Sequence, residues 1–170
     1  MTTHTTEELR GWLTGRLPQD WFTGPVEVTV DREEITVVGA LEEPTTGGSP
    51  AEQAAAVAGR IKEFRERTRE QRIEVARELE HRAQRKVSWG VQIGDHRELF
   101  TTLSVPAMTR LKQADRQVLD TLVEAGVARS RSDALAWCVR LVGSNADAWL
   151  ADLRAAMEGV AKVRAEGPAS

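Results

Sequence analysis

The chain holds one cysteine, three histidines and no tyrosine among 170 residues. One cysteine excludes a disulfide framework within a single chain, and with so few histidines beside it no structural zinc site is expected. His4, His81 and His96 lie far apart and share no ligand spacing. P-loop, GxGxxG and GxSxG patterns are all missing, and Gly47-Gly48 is too short to cradle a phosphate. Cys138 falls on the apolar face of a predicted helix, the setting of a structural thiol rather than a nucleophile. The chain therefore reads as a non-enzyme without catalytic residues, metal or cofactor. No apolar run approaches the length of a bilayer span, and MTTHTTEELR lacks the basic and apolar regions of a signal peptide. A cytoplasmic protein with no membrane partner is expected. The five tryptophans and three phenylalanines mostly fall on apolar faces, so they read as core rather than as an RNA-stacking surface.

What is present is an ordinary globular composition, 41% apolar and 29% charged, long enough for one domain or two small ones. The net charge of −3 is unevenly spread. Residues 1–50 hold three basic and nine acidic side chains, residues 51–99 eleven and nine, and residues 100–142 six and four. An acidic front followed by a mildly basic remainder suits either a nucleic-acid face or plain solvated surface.

Residues 6–17 place Leu9, Trp12, Leu13 and Leu17 at helical spacing, with Thr5 or Thr6 as cap and Pro18 as stop. Val26, Val28 and Val30, then Ile35 and Val37, alternate with polar residues around a four-residue turn, which predicts a β-hairpin. Residues 42–50 are a linker by composition. From Ser49-Pro50 to residue 86 the chain runs without a further proline, enough for a charged helix about 50 Å long. Ala54, Val57, Ile61, Phe64, Thr68, Val75 and Leu79 form one stripe on it, interrupted by Arg72. So thin a stripe is expected to pack as a narrow seam, against a second copy of the chain. Val87, Trp89, Val91 and Ile93 alternate as a strand, GDHR is a turn, and the chain is extended again up to Pro106. A helix is predicted over 109–125, closed by Gly126. A second opens at the capping-box-like Ser130-Arg131-Ser132-Asp133, and a last amphipathic helix carries Trp149, Leu153, Met157, Val160 and Val163.

Residues 101–142 form one unit: a short extended piece ended by proline, an amphipathic helix, a glycine turn, a capped start and a second helix. Over Leu122–Val142, and above all at its Gly-to-Ser-x-Ser-Asp junction, this unit resembles the ribbon-helix-helix family of dimeric DNA-binding proteins, in particular its CopG/ParD-like branch. The resemblance covers about a quarter of the chain. It implies a homodimer in which one strand from each copy pairs into a ribbon that enters the major groove. With Pro106 directly after the ribbon, Thr101, Leu103 and Val105 point inward, and Phe100, Thr102 and Ser104 face base edges. The second helix offers Arg129, Ser130, Arg131 and Ser132 to a DNA phosphate at its amino end. The run from Pro106 to Gly126 is nearly two turns longer than the family's usual first helix, so either the helix is extended or the ribbon lies in another register. Pairing of 87–93 with 99–105 inside one chain is the competing arrangement.

The expected fold is α+β, in four parts: an N-terminal α-β-β unit over 1–48, a long charged helix and strand over 49–98, a ribbon-helix-helix-like dimerisation module over 99–143 and a C-terminal amphipathic helix over 144–170. The expected function is sequence-specific binding of double-stranded DNA by a homodimer, as a transcriptional regulator. The competing function is a protein-interaction or scaffold role for the same dimer core. The N-terminal unit is the place for a protein partner or a ligand.

Overall fold

The computed structural model describes residues 5–166 and is mixed α+β, with a four-stranded sheet in its first part and a helix at its C-terminal end. The chain divides into two compact units at Pro106. The first two predicted parts share one core, and the boundary falls inside the segment expected to form the dimerisation module.

In the first unit, helix α1 (Thr6–Arg16) opens with a reciprocal cap. Thr5 Oγ1 accepts the Glu8 N–H at 3.2 Å, and the Glu8 carboxylate accepts the Thr5 N–H at 2.9 Å. Strands β1 (Glu27–Val30) and β2 (Glu34–Ala40) form the predicted antiparallel hairpin. Its turn is held by Asp31, whose Oδ1 accepts the Glu33 and Glu34 N–H groups, each at 2.8 Å. Helices α2 (Pro50–Arg67) and α3 (Arg69–Ala83) follow, then β3 (Lys86–Ile93), which runs parallel to β2. Strand β4 (His96–Leu99) turns back on β3 through Gly94, whose φ of +54° suits a glycine. The sheet order is β1-β2-β3-β4.

The long helix expected over 50–86 is divided at Thr68. That residue is fully buried, and its hydroxyl donates to the Phe64 carbonyl at 2.7 Å. Such back-bonding competes with the helical ladder and bends the chain there. Bending is what lets the stripe stay inside its own unit. Ile61, Phe64, Val75 and Leu79 pack with Leu9 and Leu13 over one sheet face, made by Val28, Ile35, Val37, Trp89 and Val91. The seam expected to meet a second copy is thus covered by the chain's own sheet.

Among the described residues, the regular elements of the second unit are three helices: α4 (Gln113–Glu124), α5 (Arg131–Asn145) and α6 (Asp147–Glu166). Helix α4 ends in a Schellman turn, with Gly126 N–H on the Val123 carbonyl at 3.0 Å and Val127 N–H on the Leu122 carbonyl at 2.9 Å. The left-handed φ of +74° at Gly126 makes that closure possible. The core of this unit is small. Leu119, Ala128 and Ala134 are buried, with Leu111, Leu122, Val123, Leu135 and Cys138 packed around them. Helix α6 buries no residue. Among the described residues, no helix is long and apolar enough to cross a membrane.

Candidate nucleic-acid interface

Phe100 corrects the sequence reading. The β3–β4 pairing sets Gly90 opposite Leu99, and the Phe100 N–H continues it to the Trp89 carbonyl at 2.7 Å. Strand alternation then puts Phe100 on the same face as Trp89, which is the covered one. The ring is 8% exposed, lies 6.4 Å from that of Phe64, and belongs to the core of the first unit. It is not a base-contacting side chain. The hairpin therefore closes within one chain, but with His96–Leu99 rather than with the whole of 99–105.

Beyond Phe100 the chain leaves the sheet. Residues 101–112 are neither helix nor strand. Thr102 and Ser104 are exposed, and Leu103 and Val105, expected inward, are 39% and 50% exposed. No ribbon strand forms there within a single chain.

Helix α4 begins at Gln113, four residues later than predicted, so its 12 residues make it shorter than the run from Pro106 to Gly126. Before it, residues 107–111 are neither helix nor strand. Leu111 packs on the small core of the second unit, whereas residues 107–110 are all exposed. The excess length of the predicted helix thus reflects a later helix start and not an extended helix.

The amino end of α5 was expected to hold a phosphate. Ser130 is its cap, and its hydroxyl accepts the Asp133 N–H at 3.2 Å. The Asp133 carboxylate in turn accepts the Arg129 N–H at 3.0 Å. The guanidinium of Arg131 is taken up by Asp120 on α4, in two parallel hydrogen bonds of 2.6 and 2.7 Å. That contact holds the Asp120 carboxyl below the usual aspartate range and raises Arg131. Arg129 is paired only at the surface: its guanidinium stands 3.8 Å from the Asp133 carboxylate and its side chain is 95% exposed. Ser132 is exposed beside it. Of the four expected phosphate residues, Arg129 and Ser132 remain open to solvent, Ser130 is used as a cap, and Arg131 is used as a brace.

Cys138 is half-buried against the core of the second unit. Among the described residues, no three metal-ligating side chains gather. His4 lies outside the described residues.

The fold and this helical end define a two-part α+β protein whose parts match separate family models. Residues 7–99 match the Rv1265-like protein N-terminal domain, and residues 112–164 match the Mb1296 C-terminal domain. The chain belongs to this family. It is 58% identical over 157 residues to the uncharacterized protein Rv1265 of Mycobacterium tuberculosis, an overlap of 92% of this chain and 69% of the relative. The same values hold for the uncharacterized protein Mb1296 of Mycobacterium bovis. No solved structure matches the chain.

Proposed function

We propose that the protein is a homodimeric, sequence-specific DNA-binding protein acting as a transcriptional regulator, with the second unit as its DNA-binding part. The observation that carries this reading is the incompleteness of that unit. Among its described residues three are buried in its core, with five more packed partly buried around them, while Val118, Val127, Val139, Leu141 and Val142 are 47–65% exposed. A unit of this size with so little buried surface is half of a core. A second copy, with paired extended arms and packed helices, supplies the other half, as in the ribbon-helix-helix arrangement that its sequence resembles.

The start of α4 at Gln113 moves the arm to 107–111. In the dimer, pairing of 107–111 as a strand would turn Thr109 and Ala107, exposed in the single chain, toward the core, and Met108 and Arg110 outward. Arg110 can then bond bidentately to guanine, which neither Thr102 nor Ser104 can do. Arg129 and the positive amino end of α5 suit backbone phosphate.

A fluorescence-anisotropy titration of the full chain against duplex genomic fragments at two salt concentrations tests this. Binding should weaken steeply with salt. Arg110→Ala should cost about 1–3 kcal/mol and relax discrimination between sequences, and Thr102→Ala should do neither. Equal affinity of Arg110→Ala and the unsubstituted protein for every fragment would sink the register. A light-scattering mass of one chain would sink the dimer.

The scaffold reading keeps one observation in its favour. Helix α6 exposes Trp149, Leu153, Met157, Val160 and Val163 at 42–71%, a stripe that DNA does not need. Under that reading the dimer forms and no duplex binds.

A further inference from the structure

We propose that Lys62, Arg65, Arg69 and Arg72, gathered beside Phe100 in the first unit, form a binding site for a small ligand carrying a pyrophosphate-like group. Arg72 is the residue that broke the apolar stripe of the sequence. It is 8% exposed. Its Nε donates to Thr68 Oγ1 at 2.9 Å, its Nη2 donates to the Arg65 carbonyl at 2.7 Å, and its guanidinium carbon stands 4.8 Å from the Phe100 ring centre. Among the described residues, no carboxylate lies within ion-pair distance of Arg72 or Arg65. Glu66 is 3.9 Å from Lys62, and Glu70 is 2.6 Å from Arg69.

A buried charge is ordinarily paired with its opposite. Here its neighbours have the same sign. Arg65 stands over the same phenyl ring, at 5.4 Å. Burial, then the charges of Arg65 and Arg69, push the Arg72 pKa down to about 10. The four cations and Phe100 line a cavity of about 540 Å³, completed by Glu66, Ile73 and Thr101. That volume suits a small-molecule ligand. Guanidinium forks match phosphate oxygens bidentately, and with Glu66 and Glu70 offsetting two of the four cations, a group carrying at least two phosphate charges balances the rest. A concave site of this size with an aromatic wall favours a small ligand over a DNA backbone.

The test uses the full chain without DNA, so it stands or falls apart from the DNA-binding proposal. Thermal unfolding is followed by tryptophan fluorescence at constant ionic strength, with chloride, inorganic phosphate, citrate, pyrophosphate or a nucleoside diphosphate added. Pyrophosphate should raise the midpoint saturably, by about 5 °C at a hundredfold excess over its dissociation constant. Chloride should have no effect. Arg65 and Arg69 are exposed, so Arg65→Gln and Arg69→Gln should fold normally and raise the half-saturating concentration at least tenfold. A lower half-saturating concentration for the nucleoside diphosphate would support a nucleotide as the source of the group, and the reverse order would support the bare anion. No rise with pyrophosphate in the unsubstituted protein overturns the proposal. So does an equal rise in both variants, or an equal rise with citrate. Loss of duplex binding in these variants with no small-anion effect would also overturn it, because the cluster would then belong to a nucleic-acid face.

Discussion

Arg131 at the start of α5 grips Asp120 on α4 with both arms of its guanidinium, at 2.6 and 2.7 Å. The pair straddles the Gly126 turn and ties the start of α5 to α4. A guanidinium so engaged is a brace before it is a phosphate contact. Arg131→Ala should therefore lower the thermal midpoint of the second unit modestly, and the loss should shrink in high salt, because the pair is at the surface. The pH sense follows from Asp120, held below its ordinary pKa first by the Arg131 hydrogen bonds. A depressed carboxylate contributes stability above its unfolded pKa, and that contribution fades as pH falls below about 4. Acid titration of the unsubstituted protein and Arg131→Ala should converge there. Curves that stay parallel through that range would show that the pair does not brace the turn.

Phe100→Ala should unfold the first unit more readily before any effect on DNA is measured. The ring is buried beside Phe64 and carries Arg65 and Arg72 on its face. Deleting such a side chain costs about 3–5 kcal/mol. Thr102→Ala, two residues on and exposed, should stay within about 0.5 kcal/mol of the unsubstituted protein. Urea unfolding of the two variants makes the comparison. A Phe100→Ala protein of unchanged stability would place that ring outside the core.

The contrast between these neighbours marks how far the sequence could be read. Alternation in 26–37 and 87–93, the Pro18 stop, the Gly126 closure and the Ser130 cap are local signals, and each stands where local chemistry put it. The parallel pairing of β2 with β3 joins residues some fifty positions apart, and no local pattern announces it. The bend at Thr68 was equally hidden, since one buried hydroxyl makes it within an unbroken helical pattern. Phe100 was misplaced because its side depends on the register of a hairpin whose turn was legible but whose length was not. At the candidate interface, Arg129 and Ser132 were legible as exposed helix-start residues. The occupation of Arg131 by Asp120 was not, because eleven positions separate them.

Two glycines should fail for different reasons. A methyl group on Gly90 would stand 2.6 Å from Leu99 Cδ2 and 2.8 Å from the Glu98 carbonyl oxygen. The second neighbour is backbone in a paired strand and cannot swing aside, so Gly90→Ala should cost about 1–3 kcal/mol by overpacking. At Gly126 nothing lies within 4 Å, but φ is +74°. Gly126→Ala should cost about 1–2 kcal/mol through the backbone alone. Gly126→Asn should recover part of that, since asparagine tolerates the left-handed region. Gly90→Asn should recover nothing. Denaturant midpoints of the four variants separate the two mechanisms, and recovery at position 90 would contradict the packing account.

Thr68 and Arg72 should prove strongly coupled. The Thr68 hydroxyl accepts from the Arg72 Nε at 2.9 Å while donating to Phe64, in a place with almost no solvent. Thr68→Val keeps the shape and removes the acceptor, leaving a buried charged donor without its partner, at a cost of about 1–3 kcal/mol. Arg72→Met removes a buried cation that has no carboxylate to balance it, and such replacements range from neutral to stabilising. With Arg72 gone, Thr68→Val strands nothing and should cost little. The double variant should therefore be more stable than Thr68→Val alone, and the cycle should return a coupling of about 0.5–3 kcal/mol. Additive effects would mean that Thr68 acts by bending the helix and not by holding the arginine.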